Sequence, residues 1–155
     1  MPLRALAQYD RAVATEREPE YAAILDQAAD AIIFADTQGV IRLWNAGAAR
    51  VFGFRAEEAL GKSLDLIIPQ HLRQAHWTGF HRALQSRATR LAGRPTMTRG
   101  LHQSGGRLYV EMSFAVVRAS SGSVIGAVAV ARDATARYEQ ERAQRRQSGE
   151  GASAQ

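Results

Sequence analysis

Apolar positions along the chain change period several times, and each change marks an element. Leu3, Leu6, Tyr9 and Val13 recur at helical spacing among charged residues and stop at Glu18-Pro19, predicting an amphipathic helix over residues 3–17. A second helical stretch, residues 21–29 with Ile24, Leu25 and Ala28, leads to Asp30 and the short apolar run Ala31-Ile32-Ile33-Phe34-Ala35. That run ends in Asp36-Thr37-Gln38-Gly39, which reads as a strand closed by a hairpin turn, with Val40-Ile41-Arg42-Leu43-Trp44 as the returning strand. Asn45 then offers a side-chain oxygen to the free N–H groups of a helix over residues 46–52, so it is read as a cap and not as a ligand.

Short helical pieces are expected over residues 56–60 and 64–67, and a longer helix runs from just after Pro69 to about Ser86. Three strands finish the pattern, over residues 94–102, 107–118 and 124–132, with Ser104-Gly105-Gly106 and Ser120-Ser121-Gly122-Ser123 as turns. In the middle strand Leu108, Val110, Met112, Phe114 and Val116 alternate with Tyr109, Glu111 and Ser113, so one face of the sheet is buried. The last strand carries Ile125, Ala127, Ala129 and Ala131 on one side and Val124, Gly126, Val128 and Val130 on the other. A row of alanines leaves space for a bound molecule or permits tight helix packing. Beyond Asp133-Ala134-Thr135 the chain turns helical, and residues 148–155 have nothing to bury and are expected to lack structure.

A length of 155 residues suits one core with accessory ends: an N-terminal helix (1–19), a domain (20–136), and a C-terminal helix with a tail (137–155). No apolar run reaches the roughly 20 residues a membrane helix needs, and the N-terminus is not that of a signal peptide, so a cytoplasmic protein is expected. The absence of cysteine excludes disulfides, thiolate-held clusters and covalent haem or cysteinyl adducts; any cofactor is non-covalent. The net charge of +5 is partly a C-terminal matter of Arg137, Arg142, Arg145 and Arg146, and no nucleic-acid-binding motif accompanies it.

Candidate chemistry is sparse. Ala56-Glu57-Glu58-Ala59-Leu60-Gly61-Lys62-Ser63 fits a relaxed phosphate-loop pattern, but it follows a helix and puts two carboxylates where phosphates would sit. No nucleophile is paired with a base, so catalysis is not expected. His71, His76 and His81 are spaced by five, roughly 140° apart on a helical wheel, and cannot form one metal cluster. Leu72, Ala75, Gly79, Phe80, Ala83 and Leu84 make an apolar arc with His76 near its middle, while His71 and His81 fall on the opposite side. A buried imidazole must be satisfied by hydrogen bonds to backbone or water, by a metal, or by a ligand.

Several strings in this order resemble the PAS family over residues 24–137. They are Asp36-Thr37-Gln38-Gly39-Val40-Ile41 with Trp44-Asn45, then Phe52-Gly53-Phe54, Glu57-Glu58, Gly61-Lys62, Gly126 and Arg132-Asp133-Ala134-Thr135. The resemblance implies an α+β fold, a five-stranded antiparallel sheet with helices over one face, flanking helices, and a ligand pocket between helices and sheet. It implies a sensory or signal-transduction module, with the competing reading of a cofactor-free dimerisation or protein-interaction module.

Pro69-Gln70-His71-Leu72-Arg73-Gln74-Ala75-His76 further resembles the segment carrying the proximal histidine in haem-binding PAS sensors. That implies haem b on His76, sensing gas or redox state, with Phe80 beside it. Met97 is then a candidate sixth ligand, Arg94 or Arg99 a gas or propionate contact, and Ile125, Ala127, Ala129 and Ala131 the row facing the pocket. Trp77 departs from those sensors and competes for the same space. The family also favours a homodimer through the N-terminal helix.

Overall fold

The computed structural model describes residues 20–89 and 93–151. Helix α1 (Tyr21–Gln27) leads into strand β1 (Ala31–Asp36), which turns at residues 37–39 and returns as β2 (Ile41–Trp44). Helices α2 (Ala46–Phe52) and α3 (Ala56–Ala59), two single 3-10 turns (Leu64–Leu66 and Gln70–Leu72) and helix α4 (Arg73–Ser86) follow. Strands β3 (Thr96–Leu101), β4 (Arg107–Arg118) and β5 (Val124–Asp133) complete one sheet, and α5 (Thr135–Gly151) leaves it. The strand order is β2-β1-β5-β4-β3 with every pair antiparallel, so the first and last strands lie side by side and the helices cross one face between the two edges.

Asn45 shows why the chain turns where it does. Its Oδ1 accepts from Ala48 N, the α2 cap, and from Ile32 N in β1, both at 2.8 Å. Its Nδ2 donates to the carbonyls of Leu25 (2.8 Å) and Asp30 (3.0 Å), so one buried amide ties α1, β1 and α2 together. Beneath it Ile33, Ile41, Phe52 and Val110 are buried almost completely and form the centre of the core. At Gly126 φ is +153°, and a Cβ there would run into the carbonyl oxygen of Ala35 on the adjacent strand.

The five-stranded α+β architecture matches the expectation, with three differences in detail and one expected element left untested. The predicted N-terminal helix with Leu3, Leu6, Tyr9 and Val13 lies outside the described residues. Strand β3 begins at Thr96, so Arg94 stands exposed before it. The long helix opens with a 3-10 turn before Arg73 and ends at Arg87, which adopts a left-handed φ of 57°. Helix α5 continues through Gly151, where loss of structure was expected from Ser148 onward; Ser148 Oγ donates to Gln144 O one turn back (2.9 Å). Once nucleated, a helix propagates with one main-chain bond per added residue and needs no apolar face to do so.

Candidate functional site

Between α4 and the sheet lies a cavity of about 400 Å³. Its upper wall is Leu72, at the end of the 3-10 turn, and one face of α4, where Ala75, His76, Gly79, Phe80 and Ala83 recur at three- and four-residue steps. Its floor is the inner face of the sheet: Ile33 and Ala35 from β1, Ala127 and Ala129 from β5, Val110, Met112 and Phe114 from β4, Thr96, Thr98 and Gly100 from β3. The register explains the floor, because cross-strand partners point the same way: Ile33 pairs with Ala129, Phe114 with Ala129, and Thr98 with Val110. Both walls are trimmed. Ala75, Gly79 and Ala83 face Ala35, Ala127, Ala129 and Gly100, and a Cβ added at Gly79 would meet nothing within 4 Å. Ala75 and Gly79 are also exposed, so the cavity opens to solvent along that edge of α4.

Two side chains that do not line the cavity fasten α4. Trp77 Nε1 donates to Asp65 Oδ1 (2.9 Å), and its ring lies over Gly39 of the β1–β2 turn, where a Cβ would collide with it. Arg73 donates to the carbonyls of Ile68 (3.1 Å) and Asp65 (3.0 Å). The helix is therefore pinned at its first turns, with small residues beneath.

His76 is half-buried, its ring 6.0 Å from that of Phe80 in a stacked arrangement and 5.1 Å from Trp77 edge-on. Its Nδ1 is sealed from solvent and has no hydrogen-bond partner among the described residues. Burial holds the imidazole below the ordinary histidine range; the charge of Asp65 works against this and that of His81 with it. His71 and His81 are exposed.

The structure brings His76, Phe80, Ala127 and Ala129 to the cavity and separates the other expected site residues from it. Met97 pairs with Glu111 and so lies on the outer face, because it alternates with Thr96 and Thr98. Arg99 borders the cavity but pairs with Tyr109, and its guanidinium sits 5.9 Å over the Tyr109 ring on the outer face, leaving main chain to the cavity. Trp77 turns to Asp65, one helical step away from His76. Ile125 is 42% exposed at the outer end of β5, and Ala131 is packed in the core beyond the cavity. Thr98, Thr89 and Asp65 went unremarked in the sequence; the Thr-x-Thr alternation at 96 and 98 was the available signal for the first.

The exit from the sheet is built on Tyr109, next to the cavity residue Val110. Its carbonyl accepts from Ala134 N (2.8 Å), its N–H donates to Thr135 Oγ1 (3.0 Å), and its ring stacks on Tyr138 of α5 at 3.8 Å. Arg137 donates to Glu111 Oε2 (3.1 Å) and Arg132 pairs with Asp30 (2.8 Å), anchoring the start of α5 and the end of β5.

Residues 25–139 match the family model described as PAS fold. The sensor protein FixL of Bradyrhizobium diazoefficiens is 35% identical over 60 residues, which is 39% of this chain and 12% of FixL. Phytochrome B of Sorghum bicolor is 30% identical over 118 residues, 75% of this chain and 10% of the phytochrome. The chain thus spans about a tenth of the length of these curated relatives. Among solved structures, the PAS domain of a Colwellia psychrerythraea protein superposes with a TM-score of 0.64 at 23% identity, covering 74% of this chain and 93% of that one.

Proposed function

The chain belongs to the PAS family of sensory domains, and from that premise we propose that its state is set by a small molecule held in the cavity against His76. The observation that carries this is a half-buried histidine, with one ring nitrogen lacking a described partner, on the wall of an apolar cavity whose two faces each carry small residues among the larger apolar ones. The name of FixL, a sensor protein, supports the sensory role. Occupancy would act on Val110 and its neighbour Tyr109, and through Tyr109 on the root of α5, by favouring the conformer that binds the ligand better.

Haem b, the cofactor that the resemblance implies, fits the residues in one respect and misfits in two. His76 lines the cavity, as an axial ligand must. A metal-bound imidazole, however, nearly always donates its other N–H to an acceptor, and Nδ1 has none among the described residues. No free cationic side chain among the described lining residues receives two propionates either, since the Arg99 guanidinium faces outward.

The test is a titration of the isotope-labelled full chain with naphthalene, read by amide NMR. Shifts are expected in α4 and β5 and, through the junction, at Tyr109 and Thr135, and Ala129→Leu, which fills the floor, should abolish them. Unchanged spectra, or equal shifts in the filled variant, would favour the interaction-module reading. A parallel haem titration decides the remaining branch: a Soret band lost in His76→Ala and kept in His71→Ala and His81→Ala would restore haem.

A further inference from the structure

The polar groups that meet the cavity define what it can hold, given that it is a ligand site at all. Its ionisable lining residues are His76 and Arg99, and Arg99 has turned its guanidinium onto Tyr109 outside. Burial disfavours the charged form of His76. The described wall is thus electroneutral, and a carboxylate or phosphate placed there loses its hydration and gains no counter-charge.

The tautomer of His76 adds direction. Nδ1 is sealed without an acceptor, so a proton there would be a buried orphan donor, a state proteins avoid more strictly than an under-used acceptor. The neutral ring accordingly keeps its proton on Nε2, which is not sealed and is bonded to no described residue. Two further groups stand ready on β3. Thr96 and Thr98 occupy the cavity face of the strand, and neither hydroxyl is hydrogen-bonded to a described residue. The Thr89 hydroxyl, by contrast, donates to Phe114 O (3.4 Å).

We infer that the ligand is an uncharged, largely apolar molecule bearing a hydrogen-bond acceptor such as a ketone, quinone or ring nitrogen, received by His76 Nε2–H and the hydroxyls of Thr96 and Thr98. This rests on the cavity reading above and narrows it.

The experiment compares three probes of one shape on the full chain: 2-acetylnaphthalene, 2-naphthoate and 2-isopropylnaphthalene, with affinities taken from amide shifts. The ketone is expected to bind at least about tenfold more tightly than the carboxylate. Replacing both hydroxyls, Thr96→Val with Thr98→Val, keeps β-branched residues on the strand and should weaken the ketone roughly three- to tenfold, the worth of one or two net hydrogen bonds. The hydrocarbon should be unaffected by that change. His76→Phe, which keeps an aromatic ring, serves as the second variant and should likewise weaken only the ketone. A carboxylate that binds as well as the ketone, or a ketone no better than the hydrocarbon, overturns the inference while leaving the cavity a ligand site. If none of the three binds at millimolar concentration, the inference falls together with the cavity reading.

Discussion

Replacing Asn45 by alanine removes one side chain and strands four main-chain groups at once. The N–H groups of Ala48 and Ile32 lose their acceptor, and the carbonyls of Leu25 and Asp30 lose their donor. Ala48 is fully buried, so its amide cannot recover a partner from water and carries the full cost of an unsatisfied donor, about 1–3 kcal/mol. The other three lie at part-buried positions, where water replaces some of what is lost, at about 0.5–1 kcal/mol each. Together these come to about 2.5–6 kcal/mol, a large part of the stability of an ordinary domain. In urea the midpoint should fall by roughly 1–3 M, read by circular dichroism. Asn45→Ser, which keeps only the cap to Ala48, should recover part of the loss. Asn45→Asp should not exceed it, because a carboxylate oxygen would then face the carbonyls of Leu25 and Asp30. Helix α1 has no buried residue of its own, so its amides should exchange fastest in the alanine variant. A loss under about 1 kcal/mol, or equal stability of the serine and alanine variants, would refute this reading of the network.

Three other outcomes follow from the same contacts. Because the His76 pKa is lowered in the folded state, the unfolded chain takes up the proton first; stability should be full above about pH 6.5 and decline as pH falls through the lowered value, and His76→Gln should flatten that slope in urea midpoints. Tyr138→Ala removes the 3.8 Å stack on Tyr109, worth about 0.5–1.5 kcal/mol, and should abolish ligand-induced amide shifts beyond Thr135 while leaving those in α4 in place. For assembly we propose a homodimer through the N-terminal segment: light scattering should report a dimer for the full chain and a monomer without residues 1–19, and a full-length monomer or an equally tight truncated dimer would contradict it.

Periodicity and punctuation in the sequence carried the elements of this fold, because each is set by residues a few positions apart. Asn45 was legible as a cap for that reason; its bonds to Leu25 and Asp30 were not, since they join segments that sequence spacing leaves unrelated. The site was legible to the same extent. The helical wheel placed His76 on the inner arc and His71 and His81 outside, and alternation on β5 placed Ala127 and Ala129 on one face. Register on β3 was beyond that reasoning, because the length of the preceding loop leaves the phase open. A shift of one residue exchanges Thr96 and Thr98 for Met97 and Arg99, a neutral hydroxyl-bearing wall for a thioether and a cation. Whether small residues mean close packing or an open space depends on the distance between two walls, which neither wall's composition contains. Here that distance is held by residues outside the cavity: Arg73 clamps the first turn of α4 to the Ile68 and Asp65 carbonyls, and Trp77, bonded to Asp65, rests on Gly39. In the sequence Trp77 competes with a ligand for the pocket, yet its partner twelve residues back turns it into part of the frame that keeps the pocket open.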